Sequence, residues 1–292
     1  MSPAPSPAGT LAWFASGALI LEAVLRLRAG KWSFVLFSPE ARRKKALDLL
    51  SSPARPGRPW PAIAAAGLGL LLLSGFVFDL ARPRSPFSRG AAAAAMIEVG
   101  QGQAALVRTG DGRHLLIDGG GFYRSEWDVG KNIVAPGLLA LGIRRLDAAV
   151  LTHPHPDHGR GLSYILDHFP VGEFWLPPCR NYLSEELTAI AERRGVKVRV
   201  LDESIGSFRF GETVVEVFHP EAGADELCAD PNNQSLVLRI SSGPMSVLVT
   251  GDIEKEVETL LVEKYTESGR LHSRVLLVPH HGSCTSSTPA FV

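Results

Sequence analysis

No residue from Trp60 to Phe78 is charged, and the stretch includes the run Gly67-Leu68-Gly69-Leu70-Leu71-Leu72-Leu73. About 20 apolar residues cross a bilayer core, so this pattern predicts a membrane-spanning helix, with a buried core helix as the competing reading. A cleaved signal peptide fits poorly, because the segment starts too deep in the chain and outruns a signal h-region. Residues 11–25 form a second apolar segment that Glu22 interrupts, a weaker candidate. Between the two lie Arg26, Arg28, Lys31, Arg42, Arg43, Lys44, Lys45, Arg55 and Arg58, against only Glu40 and Asp48. Such a basic loop is retained in the cytoplasm, which places everything after the helix outside the inner (cell) membrane.

Beyond residue 90 the pattern changes to short apolar strands alternating with amphipathic helices. Pro83-Arg84-Ser85-Pro86 and the run Ala91–Ala95 read as a linker over residues 83–95, separating a membrane region (1–82) from a folded domain (96–292). In that domain the pattern predicts strands at 96–99, 104–108, 114–118, 148–152, 173–176, 196–201, 214–218, 236–240, 246–250 and 274–278. Helices are predicted near 133–141, after Gly159, at 185–194 with Ser184 as N-cap, and at 254–265. Such a mixture implies an α/β fold, with sheets covered by helices.

Composition adds little about partners. Lys+Arg and Asp+Glu are 30 each, so no net field draws the molecule to nucleic acid, while 45% hydrophobic and 21% charged residues exclude global disorder. The three cysteines, Cys179, Cys228 and Cys284, are too scattered for a disulfide framework or a cysteine zinc cage. They leave the redox compartment open.

Candidate chemistry concentrates in Thr152-His153-Pro154-His155-Pro156-Asp157-His158-Gly159 at the end of an apolar strand. Imidazoles and a carboxylate suit a divalent transition metal, zinc or manganese. Alternation puts His153 and His155 on one side of an extended turn and lets Asp157 and His158 reach a second ion, while Pro154 and Pro156 stiffen the loop.

The HxHxDH string resembles the signature of the metallo-β-lactamase fold, an αββα sandwich. Other stretches resemble it in the same order: Asp118 in Leu115-Leu116-Ile117-Asp118-Gly119-Gly120, Asp252 in Thr250-Gly251-Asp252, and Val278-Pro279-His280-His281-Gly282-Ser283. More narrowly, Val99-Gly100-Gln101-Gly102, Asn232-Asn233-Gln234-Ser235, Gly251-Asp252-Ile253-Glu254 and His280-His281-Gly282-Ser283 are similar to the C-terminal domain of ComEC-type DNA-internalisation competence proteins, which attach it to membrane helices.

The resemblance implies one or two metal ions. His153, His155 and His281 would hold one, Asp157 and His158 the other, and Asp252 both, with Asp157 and Asp252 the residues of catalysis. His280 is nearly as good a ligand as His281. Asp118 is expected to hydrogen-bond a ligand rather than bind metal, and Asn232, Asn233, Ser235 and Ser283 to orient ligands or substrate. The family usually has aspartate where Gln103 stands, and the only histidine near another expected ligand position is His219. The family also continues beyond this chain's last residue, so a C-terminal truncation is expected.

The implied function is a metal-dependent phosphodiesterase, a nuclease degrading one strand of incoming single- or double-stranded DNA. The other strand would pass a membrane channel of the same or a neighbouring protein in the lipid bilayer. The competing readings are a hydrolase of thioesters, lactones or lactams, and a catalytically degenerate DNA-binding module.

Overall fold

A computed structural model describes residues 13, 15–17, 60–81, 90–123, 125, 127–223 and 228–292. The chain divides into two compact units, Met1–Arg82 and Pro83–Val292. In the first, the uncharged stretch forms helix α1 (Trp60–Ala81). The described side chains inside it are those of residues 63–64 and 66–77, and among the described residues no helix is long and apolar enough to cross a membrane. The structure therefore does not support the spanning helices expected from the sequence. The basic loop and most of residues 11–25 lie outside the described residues.

In the second unit, strands β1 (Ala93–Met96), β2 (Ala105–Arg108), β3 (His114–Ile117), β4 (Leu146–Val150), β5 (Val171–Leu176) and β6 (Lys197–Val200) form one sheet in sequence order. β1–β3 are antiparallel and β3–β6 parallel. The parallel part is wound through α3 (Pro156–His168) and α4 (Tyr182–Arg193), with α2 (Ala135–Ala140) leading into β4. A second sheet, ordered β11-β10-β9-β8-β7, consists of β7 (Ser207–Phe210), β8 (Thr213–His219), β9 (Val237–Ser242), β10 (Met245–Val249) and β11 (Val275–Leu276). Its pairings are antiparallel except β10 with β11, which α5 (Lys255–Tyr265) connects.

Three apolar layers hold these elements. Leu106, Leu116, Ala149 and Phe174 pack outward against Leu138, Leu162, Ile165 and Leu187 of α2, α3 and α4. Their strand neighbours Val107, Leu115, Ile117, Val150 and Trp175 face Val215, Val217, Leu238, Ile240 and Val247 of the second sheet. Phe218, Val237 and Leu248 meet Val257 and Leu261 of α5. A sheet buried on both faces favours apolar residues at successive positions, which is why Leu115–Ile117 of β3 and Ala148–Val150 of β4 read as continuous runs. The result is the αββα sandwich that the resemblance implied.

Local boundaries differ from the sequence pattern for identifiable reasons. The alanine run read as linker pairs with β2 from Ala93 opposite Arg108 to Met96 opposite Ala105, so the first strand ends where the pattern began it. α3 starts at Pro156 rather than after Gly159, with His155 as its extended N-cap; proline suits a first helical turn because its fixed φ is already helical. α4 is capped by Asn181, whose side chain accepts from the Leu183 and Ser184 amides, and Ser184 is the third helical residue of that capping box. β7 was not anticipated. The cysteines also do more than expected, since Cys179 and Cys228 form a disulfide with Cα atoms 4.7 Å apart.

Candidate metal centre

The chemistry-bearing residues gather at one edge of the sandwich because several strands end there together. Ile117 is paired with Val150, so the chain leaves β3 at Asp118 beside the point where β4 runs into Thr152 and His153. From the other sheet, β10 ends just before Asp252 and β11 just before the turn Pro279–Gly282. His280 and His281 adopt left-handed backbone angles there, φ 47° and 53°, a conformation uncommon for residues with a Cβ.

Asp118, fully buried, organises the first half. Its Oδ1 accepts from the Thr152 amide at 2.8 Å. Its Oδ2 accepts from the Thr152 hydroxyl at 2.8 Å and from Gln103 Nε2 at 3.1 Å, and lies 2.8 Å from His158 Nδ1. Pairing Nδ1 with the carboxylate fixes the His158 ring and aims Nε2 at the cluster, the arrangement that outer partners impose on metal-binding histidines. Gln103, a departure from the family pattern in the sequence, is thus a working member of this network.

Around His158 Nε2 stand Asp252 Oδ1 and His281 Nε2, each at 3.2 Å. His281 Nε2 is 3.5 Å from both Asp157 Oδ2 and Asp252 Oδ2. His153 Nε2 is 3.0 Å from His155 Nδ1 and 3.9 Å from Asp252 Oδ2. Two triples each bring one ligand atom per residue within 4.8 Å of the others: His153, His158 and Asp252, and Asp157, His158 and His281. This grouping differs from the sequence reading, which set His281 with His153 and His155; in the fold it stands with Asp157 and His158.

A divalent cation fits this donor set on two observations. Asp157 Oδ1 is buried with no hydrogen-bond partner, and buried Asp252 Oδ1 makes no well-formed hydrogen bond although His158 Nε2 stands 3.2 Å away, a costly state for carboxylate oxygens that a bound cation would relieve. Facing imidazole nitrogens at 3.0–3.2 Å likewise leave lone pairs that one ion would share, in a nitrogen and oxygen set suited to zinc or manganese.

Electrostatics follow from the same contacts. Burial, then the neighbouring histidines, hold His153 well below the usual imidazole range, and burial also lowers His155. Burial opposes charge on His158 too, but the Asp118 carboxylate outweighs it and pushes the imidazole up to about 10. Burial works against ionised Asp157; its hydrogen bond with His281 and the charge of His158 prevail, and its carboxyl sits below its ordinary value.

The remaining predicted residues take different places. His280 faces outward to Glu254 Oε1 at 3.3 Å and Thr285 Oγ1 at 3.3 Å, with Asp252 Oδ2 3.9 Å away. Ser235 Oγ accepts from the Asp252 amide at 3.0 Å, and Asn233 Oδ1 from the Glu254 amide at 2.9 Å, so both position the aspartate turn. Asn232 stands beside His155 and acts against the lowering of that imidazole by burial. Ser283 lies 3.1 Å from the Thr285 hydroxyl, within its own turn. His219 points Nε2 at the Asn233 carbonyl, 2.8 Å away, and belongs to neither triple.

Tyr123 and Asn181 carried no sequence signal, whereas Gly102 stands in the Val99-Gly100-Gln101-Gly102 motif. Tyr123 has its ring centroid 6.1 Å from that of His155, and partial burial and then the Asp157 charge push its phenol up to about 12. Asn181 donates from Nδ2 to the Pro154 carbonyl at 2.8 Å, bracing the histidine turn. At Gly102, with φ +124°, an added Cβ would lie 2.3 Å from the Asp157 carbonyl, so glycine alone allows this approach. A largely apolar cavity of about 420 Å³, lined by Met96, Met245, Leu276 and Val278, meets the cluster only at Gln103 and His281.

A family model for the metallo-β-lactamase superfamily matches residues 97–292. The chain is 35% identical over 231 residues to Competence protein ComA of Neisseria gonorrhoeae, covering 77% of this chain and 29% of that protein. It is 32% identical over 212 residues to ComE operon protein 3 of Bacillus subtilis (strain 168), covering 68% and 26%. The chain thus spans less than a third of either relative. Among solved structures it is similar to CmlA, a diiron beta-hydroxylase from Streptomyces venezuelae, with TM-score 0.42 and 18% identity over 90% of this chain and 43% of that one. The family model's span takes in every strand but β1 and every residue of the two triples: the chain belongs to the metallo-β-lactamase superfamily, and the two competence proteins are its homologues.

Proposed function

We propose that this chain is the metal-dependent hydrolase portion of a DNA-uptake protein and that it cleaves phosphodiester bonds of incoming DNA. The observation that carries this is the pair of His/Asp triples sharing His158, with one buried oxygen of Asp157 and one of Asp252 that make no hydrogen bond. Homology to competence proteins supports DNA as the substrate. Divalent ions held there would polarise a phosphoryl oxygen and make water more acidic. The chain's own residues do the rest: Asp118 holds the His158 ring, Asp252 stands between the two triples, and Asp157 lies where it can orient an attacking water through Oδ1. The uncharged stretch Trp60–Phe78 and the basic loop before it support attachment to the inner membrane beside a channel, with the hydrolase outside the cytoplasm.

The test is cleavage of a single-stranded oligonucleotide by the full chain with manganese or zinc, expected to disappear in Asp157→Ala while circular dichroism stays unchanged. Hydrolysis of a chromogenic lactam, thioester or lactone with no action on DNA would assign the site to another hydrolase. Less than one bound metal ion per chain after reconstitution, with DNA still bound, would make it a binding module.

A further inference from the structure

Two tyrosines stand in water at the mouth of the centre although the fold had apolar space for rings nearby. Phe122 packs against the outer core, whereas its neighbour Tyr123 is 59% exposed and Tyr182 is 60% exposed. Both are tied to the same histidine turn. Tyr123 holds its ring 6.1 Å from that of His155, and the charge of Asp157 acts on its phenol. Tyr182 directly follows Asn181, whose amide is bonded to the Pro154 carbonyl, and its phenol is close enough to act electrostatically on Tyr123. Two exposed aromatic side chains therefore lie by the histidine turn, Tyr123 beside His155 and Tyr182 next to the residue that braces Pro154.

We propose that Tyr123 and Tyr182 form a base-stacking clamp that makes the site select single-stranded nucleic acid, a deepening that rests on the phosphodiesterase reading. A nucleotide whose phosphate is held by metal at the centre would carry its base one sugar away, within reach of rings beside the histidine turn. Every base has a π-face, so the clamp is indifferent to sequence. In a duplex both faces of each base are covered by its neighbours, so the rings have nothing to stack on until the strand is opened. Strand selection then comes from the mouth and not from the metal ligands.

The experiment uses the full chain with manganese and three substrates: a single-stranded oligonucleotide, the same strand with one abasic site at the cleaved position, and the duplex. Wild type should cut the intact strand about tenfold or more faster than the abasic one, within the range known for base–aromatic stacking. Tyr123→Leu with Tyr182→Leu should erase that difference and lower the single-strand to duplex ratio, while Tyr123→Phe, which keeps the ring, should retain both. A second reading needs no turnover: anisotropy of a fluorescent thymidine oligonucleotide on the metal-free chain should show about tenfold weaker binding in the double leucine variant. Cleavage that is equally fast on intact and abasic strands, or a leucine variant that discriminates like wild type, overturns the clamp and leaves the phosphodiesterase reading standing. A wild-type chain that neither cuts nor binds any nucleic acid overturns both.

Discussion

Removing the disulfide between Cys179 and Cys228 tests how the two halves of the site are held together. Cys179 lies between β5 and α4, two residues before Asn181, which braces the Pro154 carbonyl. Cys228 lies between β8 and β9 and leads into Asn232–Gln234, where Asn233 and then Ser235 hold the aspartate turn. The bond thus joins the segment that supports the histidine turn to the one that supports Asp252. With 49 residues separating the cysteines, the chain-entropy model gives about 4 kcal/mol of stabilisation from the restricted unfolded chain. For a urea slope of roughly 2–3 kcal/mol per M, Cys179→Ala with Cys228→Ala should lower the midpoint by about 1.3–2 M. The assay is equilibrium unfolding of metal-free protein by intrinsic fluorescence, to which Trp175, buried between the sheets, contributes. Chelator keeps metal linkage out of the comparison. Thiol titration of oxidised protein in denaturant should find one reactive group, Cys284. Equal midpoints, or three thiols before any reductant is added, would refute the reasoning. A structural disulfide also fits an oxidising compartment, in agreement with the extracytoplasmic placement proposed above.

Two further outcomes follow from the site. Gly102→Ala forces a Cβ to within 2.3 Å of the Asp157 carbonyl, so metal affinity by calorimetric titration should fall at least tenfold. Gly195→Ala, also at positive φ but with open space around it, should cost only about 1 kcal/mol and leave metal binding intact; equal effects of the two would show that the Gly102–Asp157 contact does not matter. His158 is raised from 6.5 to about 10 by Asp118, so in the metal-free fold its stabilisation is complete below pH 6.5 and lost as pH climbs through about 10. Metal must displace that proton, so apparent affinity should rise with pH across this window, and calorimetry in buffers of different ionisation heats should count about one proton released at His158. Proton-free binding at pH 7 would contradict the Asp118–His158 pairing.

The sequence made the fold and the strand-end residues legible because both depend on local pattern. Asp118, His153, Asp252 and His281 each follow an apolar strand, and two-sided burial leaves apolar runs at Leu115–Ile117 of β3 and Ala148–Val150 of β4. What it hid depends on helix register and on distant approach. An extended reading of HxHxDH separates His153 and His155 from Asp157 and His158. In the fold Pro156 starts a helix, and successive positions then turn by about 100°, which swings His158 inward to both triples. Gln103 looked like a lost carboxylate because its partner, Asp118, lies across a hairpin. Tyr123, Asn181 and the disulfide had no periodic signature at all. β7 escaped because four residues between Gly206 and Gly211 are too few to show alternation.

The division of the centre between the two sheets has a consequence for assembly. His153, His155, Asp157 and His158 belong to the sheet of β1–β6, and Asp252, His280 and His281 to the sheet of β7–β11. Neither sheet completes a triple alone, since each triple takes at least one residue from the other. Without metal, the cluster places carboxylates and imidazoles together in a buried space where two carboxylate oxygens lack partners, which opposes docking of the sheets at that edge. A cation reverses the sign of that local contribution, so metal binding and closure of the sandwich edge stabilise one another. The apolar layer between the sheets, built on Trp175, Leu238 and Val247, must therefore supply enough association to hold the edge together before metal arrives. That layer is one connected cluster drawing on both sheets, which is how a site assembled from two sheets can exist ready for its ion.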